Sequence, residues 1–357
     1  MGQGIKCDGR ATIGLDLGDR RTQVCVLDER GEVVQRLSFA TSQAGAQRAF
    51  AEVASGVRVV LEVGTHSPWL SRWLTEQGYT AIVANPKKTK LIAGSDTKND
   101  RADAELLARL GRADPKLLRP IAHRGEGVQR ERARLSVRDH LVRMRTGLIN
   151  QARGTAKALG VRLPPCATEA FARRMREGSY NDTLFPGMQQ LVDLIERVSE
   201  MIAEQDKAVE QCCAQKYPET QRLRQIAGVG PITALTYVLT IEDPTRFRSS
   251  RAVGSYLGLR PRQRDSGDGQ PQLRITKSGD PYLRRTLVQA AHYILGPFGP
   301  DTDLRRSGLR LIARGGRAAY KKALVAVARK LAVLLHRLWI SAAAYEPLRH
   351  ANAATAA

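Results

Sequence analysis

Apolar residues alternate with others in the stretch Ala11-Thr-Ile-Gly-Leu-Asp-Leu-Gly18, and this stretch decides the fold. An alternation with a period of two predicts a β-strand, with Asp16 near its end. A second run, Val57-Arg-Val-Val-Leu-Glu-Val63, is almost wholly apolar and predicts a buried strand that ends near Glu62. Two strands would therefore each carry an acid close to the end of the strand.

Two more acids lie three residues apart in Lys98-Asn-Asp-Arg-Ala-Asp-Ala104, where a helical pattern begins. Asp100 and Asp103 would lie on one turn of that helix. Acids at the ends of two strands and on one helical turn can converge on Mg²⁺, which prefers hard oxygen ligands and assists phosphodiester cleavage. The sequence therefore predicts a magnesium site built from these two acids together with Asp16 and Glu62.

Structural explanations of the same acids compete with this prediction. Asp16 has the residue type that often supplies a turn or a helix cap after a strand. Asp100 and Asp103 have the charge that the helix macrodipole favours in a first turn. Glu62 is harder to explain in this way, because a carboxylate in a run of valines is costly unless it is paired or bound to a cation.

The order of the elements narrows the fold class. Residues 11–39 read as three short strands, followed by a helix at roughly Gln43–Ser55 and the strand at 57–63. A helix at Pro68–Glu76, a strand at Tyr79–Ala84 and the helix after Lys98 complete the order βββαβαβα. A meander before the first crossover is typical of the RNase H-like α/β fold. It also matches actin-like ATPases, although no second glycine-rich phosphate loop supports that alternative.

Charge is distributed unevenly along the chain. The net charge is +22, with 15 Lys and Arg against 13 Asp and Glu in residues 1–110 and 21 against 6 in residues 246–349. The N-terminal part is nearly balanced in charge and the C-terminal part is strongly basic, which indicates that the C-terminal part contacts the phosphates of nucleic acid. No apolar run is long enough to cross a membrane and no signal-peptide core is seen, so a cytoplasmic protein is expected. The five cysteines lack metal-binding spacing, and Cys25 is expected in the core.

Long helices are predicted between residues 125 and 218. Apolar residues keep a spacing of three or four in two segments on either side of the Pro164-Pro165 break. The two proposed seams are Val137, Leu141, Met144, Leu148 and Ala152, and Leu191, Ile195, Val198 and Ile202. These seams predict an antiparallel helical hairpin or coiled-coil connector, which serves either as internal scaffold or as a dimerisation element.

The segment from residue 219 to 350 is predicted to be mostly helical. Gly228-Val-Gly230 has the look of the turn in a helix-hairpin-helix element, which presents backbone N–H groups to a phosphate, although a purely structural turn explains it nearly as well. Helices with basic flanks are predicted at Tyr282–Ile294 and Tyr320–Trp339. Beyond the two glycines, the residues expected to contact nucleic acid are Arg248, Arg260, Arg262, Arg264, Arg274, Lys277, Arg284 and Arg285.

A serine lies among arginines in the loop Arg260-Pro-Arg-Gln-Arg-Asp-Ser-Gly-Asp-Gly-Gln270. A serine beside phosphate-clamping guanidinium groups can attack phosphorus once its proton is removed. From the residues alone, a turn serine that contacts only backbone is the simpler explanation of Ser266. Ser278, in Thr276-Lys-Ser-Gly-Asp280, has a similar setting, and spacing does not separate the two serines.

At the level of motifs the chain resembles the DEDD transposases of bacterial insertion sequences, of the insertion-sequence-110 type, over nearly its whole length. In the front, the motifs that carry this resemblance are Gly14-Leu-Asp-Leu-Gly18, Leu61-Glu-Val-Gly64 and Asp100-Arg-Ala-Asp-Ala104. The back is similar to the family through Ile226-Ala-Gly-Val-Gly-Pro-Ile-Thr-Ala234, Asp243-Pro-Thr-Arg-Phe-Arg-Ser249, Ala252-Val-Gly-Ser-Tyr-Leu-Gly-Leu-Arg-Pro261 and Arg274-Ile-Thr-Lys-Ser-Gly-Asp-Pro-Tyr-Leu-Arg-Arg285.

The resemblance implies a specific chemistry. The family acids fall on Asp16, Glu62, Asp100 and Asp103 as Mg²⁺ ligands of a RuvC-like domain, and the family serine falls on Ser266 and forms a covalent phosphoserine link to DNA. A structured noncoding bridge RNA would pair with donor and target DNA. The active site would be composite, with acids and serine from different protomers of a tetramer that assembles from dimers.

The implied organisation is a RuvC-like domain at 1–124, a connector at 125–218, a C-terminal transposase domain at 219–350 and a disordered tail at 351–357. Asn99, Asp265 and Asp268 depart from the family pattern around the acids and the serine. Two rivals remain at this stage. One is a metal-dependent junction resolvase in which water attacks, and the other is a non-catalytic scaffold that binds nucleic acid.

Overall fold

The computed structural model describes residues 4–85, 100–178, 186–263 and 273–349, with the side chains of Asp100 and Arg101 left out of the description. Contacts divide the chain into two compact units, residues 1–125 and 126–357. The finer division of the second unit at residue 219 stays a prediction. The predicted disordered tail lies outside the described residues.

A five-stranded mixed sheet forms the centre of the first unit. Its strands are β1 (Thr12–Leu17), β2 (Arg21–Leu27), β3 (Val33–Ala40), β4 (Arg58–Glu62) and β5 (Thr80–Ala84). The spatial order is β3-β2-β1-β4-β5, with β1 to β3 antiparallel and β1, β4 and β5 parallel. The predicted meander is therefore confirmed, and this mixed α/β sheet is consistent with an RNase H-like domain.

Helices cover the two faces of this sheet. On one face, α1 (Gln43–Phe50) and α2 (Ser67–Glu76) enclose a core in which the Phe50 ring meets the rings of Trp73 and Tyr79. The first helix ends at Phe50 rather than near Ser55. On the other face lies α3 (Asp100–Ala113), packed against β1, β2 and β4.

Glycines permit the close approach of α3 to the sheet. A Cβ on Gly14 of β1 would lie 2.0 Å from the carbonyl oxygen of Ala104. A Cβ on Gly111 of the helix would lie 2.3 Å from Cγ2 of Val60 on β4. Any larger residue at either position would push the helix away from the strands, so these two glycines fix the place of α3 relative to β1 and β4.

The second unit begins with an antiparallel hairpin of two long helices, α4 (Glu126–Ala158) and α6 (Pro186–Gln215), with the short α5 (Phe171–Glu177) between them. Leu141 of the first proposed seam packs against Val198 and Ile202 of the second. The seam proposed for α4 is wrong at two positions, because Val137 is 54 % exposed and Met144 is 37 % exposed. The buried stripe of α4 includes the charged residues Glu131 and Arg145.

The described residues of the second unit contain six further α-helices. They are α7 (Glu219–Leu223), α8 (Pro231–Ile241), α9 (Ser250–Tyr256), α10 (Pro281–Leu295), α11 (Asp303–Ala313) and α12 (Ala319–Ser341). Their core surrounds the fully buried Tyr237 of α8, whose hydroxyl donates to the carbonyl of Ala332 at 2.7 Å. The predicted helices at 282–294 and 320–339 correspond to α10 and α12. No helix in the described part of the chain is long and apolar enough to cross a membrane.

Candidate active site and nucleic-acid interface

Two predicted acids lie side by side at one edge of the sheet. The parallel strands β1 and β4 pair Leu15 with Leu61, and Asp16 and Glu62 each follow one residue later. Neighbouring strands are about 4.8 Å apart, so these two acids occupy the same level of adjacent strands. Both side chains are half-buried.

The sheet face that carries these acids is the one covered by α3. Gly14 and Val60 are paired across β1 and β4, and both contact this helix. Side chains two residues apart along a strand lie on the same face, which places Asp16 and Glu62 on that face as well. Leu15, which lies between Gly14 and Asp16 on β1, belongs to the core on the opposite face.

The direction of α3 places a third acid at the same edge. At its C-terminal end, Arg58 at the start of β4 donates to the carbonyl of Gly111 at 2.8 Å. The N-terminal turn of the helix therefore lies toward the ends of β1 and β4. Asp103 belongs to this turn and is half-buried.

A closed metal site is not present among these groups. Within the described side chains, no set of three or more His, Cys, Asp or Glu residues is arranged to hold a metal ion. Asp100 begins α3, but its side chain lies outside the description. The side-by-side placement of Asp16 and Glu62 on adjacent strands, here called the level pair, is thus a structural finding. The site with four ligands stays a prediction.

A contact between a histidine and an aspartate, which the sequence analysis did not predict, lies in the loop after β4. His66 Nε2 lies 3.7 Å from Oδ1 of Asp19, and Trp69 Nε1 donates to His66 Nδ1 at 3.2 Å. Because His66 Nδ1 accepts the hydrogen bond from Trp69, a neutral His66 carries its proton on Nε2, the nitrogen that faces Asp19. Asp19 and His66 come three and four residues after Asp16 and Glu62, so this contact joins the two loops that follow the acid-bearing strands.

A second histidine holds the start of α2. His123 Nε2 lies 2.9 Å from the Ser67 hydroxyl, which also accepts from Gly64 N at 3.0 Å. Burial, with smaller contributions from Arg72 and Arg124, lowers the pKa of His123 below its ordinary value. The two partners are 56 residues apart in sequence, so no local pattern signalled the contact.

The predicted nucleophile belongs to a loop whose two ends are paired. Residues 257–262 and 274–279 form two arms, here called the loop frame, with a bridge between Pro261 and Ile275. Arg262 N donates to Arg274 O at 3.0 Å, which extends the pairing toward the loop. Ser266 and Arg264, with Asp265 and Asp268, lie outside the described residues. The frame nevertheless brings the two ends of their segment together.

Several predicted nucleic-acid contacts project from this frame. Arg260, Arg262, Arg274 and Lys277 are all exposed. Lys277 has a φ of 55°, an uncommon value for a residue with a side chain, and its N–H donates to Gly258 O at 3.1 Å. Four cations are therefore arranged on two short paired segments, and their role toward nucleic acid stays a prediction.

Arg284 has a structural task that the sequence did not reveal. Its Nη1 donates to the carbonyls of Ser278 at 2.5 Å, Gly279 at 3.1 Å and Leu257 at 3.2 Å. These carbonyls belong to both arms of the loop frame. Burial lowers the pKa of this guanidinium from its ordinary value. Ser278 is half-buried, with its Oγ 3.1 Å from the Thr276 hydroxyl.

The two remaining arginines predicted to contact nucleic acid differ in their surroundings. Arg285 forms an ion pair with Asp139 and lies over the Tyr282 ring, 4.9 Å from its centroid. Arg248 is exposed in the turn before α9. The nucleic-acid roles of these two arginines stay predictions.

The glycine turn before α8 has two different environments. Gly228 has a φ of 89°, and a Cβ there would lie 3.0 Å from the Tyr293 ring, so packing and backbone conformation account for this glycine. Gly230 is exposed, caps α8 and has open space around it. Of the two glycines, Gly230 is the one whose surroundings leave room for a phosphate.

Comparisons with known proteins agree with this arrangement. A model described as Transposase IS116/IS110/IS902 family matches residues 220–303. A model of DEDD transposases of insertion sequence IS110, described as a transposase, matches residues 13–159. The first covers the loop frame, and the second covers the level acids and the first helix of the hairpin.

Similar proteins span most of the chain. A transposase for insertion sequence element IS1111A from Coxiella burnetii is 29 % identical over 91 % of this chain and 88 % of its own length. A probable family 20 transposase from Pseudomonas aeruginosa is 28 % identical over 94 % of this chain and 98 % of its own. A pilin gene-inverting protein from Moraxella bovis is 26 % identical over 89 % of this chain and 92 % of its own.

Proposed function

Because this chain belongs to the IS110 family of insertion-sequence transposases, we propose that it cuts, exchanges and rejoins DNA strands through a covalent phosphoserine link at Ser266. The observation that carries the proposal is the level pair Asp16 and Glu62 at the edge of the sheet where α3 begins. Paired carboxylates at a sheet edge suit phosphodiester chemistry, and the frame of cations suits DNA phosphates.

The donor set fits a hard divalent cation. All four proposed ligands, Asp16, Glu62, Asp100 and Asp103, are carboxylates, which favour Mg²⁺ over softer metals. A bound Mg²⁺ supplies charge stabilisation to the transferring phosphate and lowers the cost of removing the serine proton. Asp16, Glu62 and Asp103 are all half-buried, so that their carboxylates are partly shielded from water, where the attraction of a cation is stronger.

In the proposed reaction the deprotonated Ser266 hydroxyl attacks phosphorus, and a new P–O bond forms to the serine. The bond from phosphorus to the leaving strand breaks, and the departing sugar oxygen takes up a proton. The hydroxyl of another strand then attacks the phosphoserine, and the serine is regenerated. Each step exchanges one phosphodiester for another, so no ATP is required.

The partners proposed for this reaction are donor and target DNA, a structured noncoding guide RNA and further copies of the chain. An active site shared between protomers, with the acids from one copy and Ser266 from another, is part of this proposal. The exposed side chains of Val137 and Met144, and of Leu194 and Met201, repeat at seven residues on the two helices of the hairpin. Such repeats suit helix pairing with a second copy, which supports a dimer that assembles further.

A gel separates this proposal from its hydrolytic rival. The full-length protein, RNA transcribed from the flanking DNA, labelled donor DNA and Mg²⁺ are mixed and resolved under denaturing conditions. We expect a protein–DNA adduct with wild type and with Ser278→Ala, and none with Ser266→Ala. Cleavage that survives Ser266→Ala without any adduct would instead establish a nuclease that uses water.

A further inference from the structure

A cleft of about 510 Å³ opens in the first unit, at the edge of the sheet where the strands begin. Its polar lining includes Arg10, Thr12, Glu29, Arg58, Thr80 and Arg112. These residues come from the segment before β1, from the turn between β2 and β3, from the starts of β1, β4 and β5, and from the last turn of α3.

The cleft is separate from the acid-bearing edge. Thr12 and Arg58, which line it, are paired at the start of β1 and β4, whereas Asp16 and Glu62 come four residues later on the same strands. At about 3.3 Å per residue, this is a separation of about 13 Å along the strands. The cleft is thus not part of the proposed active site.

Sheet register places one arginine at its centre. Thr12, Arg58 and Thr80 are paired across three neighbouring strands, so their side chains lie on the same face. Arg58 Nη1 donates to the carbonyl of Gly111 at 2.8 Å. A guanidinium carries five N–H donors, and this contact fixes its position while using only part of it.

Two further arginines approach from the rim. Arg112 Nη2 donates to the backbone carbonyl of Glu29 at 2.5 Å, and Arg10 Nη1 donates to the Glu29 carboxylate at 2.9 Å. Among the charged residues that line the cleft, three are cations and one is an anion. Two of the three guanidinium groups are held by backbone carbonyls, and neither forms an ion pair with a carboxylate of the residues that the structure describes.

We propose that this cleft binds the phosphodiester backbone of a nucleic acid strand, a second contact besides the loop frame. The proposal rests on the proposed function for its ligand, since a recombinase must hold long strands. Guanidinium forks match phosphate oxygens bidentately, and the two threonine hydroxyls add donors beside Arg58. Solubility alone would not require cations converging on a concave surface from three segments of the chain.

Arginine-selective modification tests this binding residue by residue. The full-length protein without divalent metal is treated with phenylglyoxal, and modification is followed by mass spectrometry at Arg10, Arg112 and the control Arg48. Arg48 is exposed on α1, on the opposite face of the sheet. The probes are single-stranded RNA, duplex DNA and inorganic phosphate at equal phosphate concentration.

We expect RNA, DNA or both to slow modification of Arg10 and Arg112 several-fold, with Arg48 unchanged and inorganic phosphate without effect. The probe that protects these arginines identifies whether the cleft binds RNA or DNA. Equal protection by inorganic phosphate would overturn the backbone assignment in favour of a small-anion site. Absence of protection with every probe would overturn the cleft as a binding site.

Affinity measurements give a second readout. Arg10→Gln and Arg112→Gln should each weaken binding of the protecting strand about three- to ten-fold near 0.15 M salt and reduce the salt slope by about one. Arg48→Gln should change neither quantity. Thermal unfolding confirms that each variant is folded. Because no cleavage is required, a normal DNA adduct without protection overturns only the cleft, whereas protection without any adduct overturns only the serine mechanism.

Discussion

Arg132 of α4 donates a hydrogen bond to the carboxylate of Asp280, the residue that caps the N-terminus of α10. The same guanidinium donates to the Thr240 hydroxyl at 2.9 Å. The other carboxylate oxygen of Asp280 accepts from Leu283 N at 2.8 Å. Asp280 directly follows the second arm of the loop frame, so this ion pair ties the helical hairpin to the frame that carries the predicted nucleophile.

Loss of this carboxylate should destabilise the second unit. Asp280→Ala removes a helix cap, at about 1 kcal/mol, and leaves the half-buried guanidinium of Arg132 without its carboxylate, at about 1–3 kcal/mol. We expect the free energy of unfolding, measured with urea, to fall by about 2–4 kcal/mol. Asp280→Asn keeps the capping oxygen and should lose less.

The control for this prediction is Asp301→Ala. Asp301 forms an ion pair with Arg306 in which both side chains are substantially exposed. An exposed pair contributes about 1 kcal/mol or less. A loss for Asp280→Ala no larger than that for Asp301→Ala would contradict a structural role for the Arg132 contact.

The level acids should be required for chemistry and dispensable for folding. Asp16→Asn and Glu62→Gln keep the shape of each side chain and remove the charge that would hold a divalent cation. We expect DNA cleavage to fall by a factor of about 100 or more with little change in thermal stability. The measurement is the initial rate of cleavage at saturating Mg²⁺, with the midpoint of thermal unfolding recorded for each variant.

Glu76→Gln supplies a matched control, since Glu76 is exposed at the end of α2. It should cleave DNA at the wild-type rate. If Asp16→Asn and Glu62→Gln retain wild-type cleavage, the assignment of these acids to the active site is wrong.

Alternation in β1 and the apolar run of β4 were enough to predict the two strands and to place Asp16 and Glu62 near their ends, because each pattern is typical of a strand. The hairpin shows where this reasoning fails. Arg145 of its buried stripe pairs with Glu169 at 2.8 Å, so a search for apolar spacing skipped it and chose the exposed Met144 instead. Contacts between distant segments, such as Ser67 with His123, left no periodic pattern to read.

Arg284 should act by holding the loop frame rather than by binding DNA alone. Arg284→Ala removes the donor shared by three carbonyls of the two arms. We expect faster amide hydrogen exchange in residues 257–262 and 274–279, together with a lower rate of adduct formation. Arg274→Ala, an exposed cation of the same frame, should weaken DNA binding without changing exchange. Equal exchange profiles for the two variants would argue against a bracing role.

The depressed pKa of His123 predicts a pH dependence of stability. Burial disfavours the charged imidazole, so the folded state binds this proton less readily than the unfolded chain, whose ordinary histidine pKa is 6.5. The stabilising contribution is complete above that value and is lost as pH falls through 6.5 toward the lower folded pKa. Urea unfolding between pH 5 and 7.5 should therefore show stability that decreases with acid.

Comparison with His123→Gln isolates this residue. Glutamine does not titrate and retains a polar group for the Ser67 hydroxyl. The buried His336, whose pKa is also lowered by burial, remains in both proteins and contributes equally. We expect a shallower decline for His123→Gln below pH 6.5, and identical slopes would rule out His123 as a source of the acid sensitivity.

The exposed apolar repeat on the hairpin should govern self-association. Val137 and Met144 lie seven residues apart on α4 and are solvent-exposed in the isolated chain, although both are residue types common in helix seams. Val137→Glu and Met144→Glu place charges on that stripe without disturbing the buried pairing of Leu141 with Val198. Sedimentation should show a lower association state for both variants. Gln151→Glu adds the same charge at an exposed polar position of α4 and should sediment as wild type, whereas an unchanged state for all three variants would place the interface elsewhere.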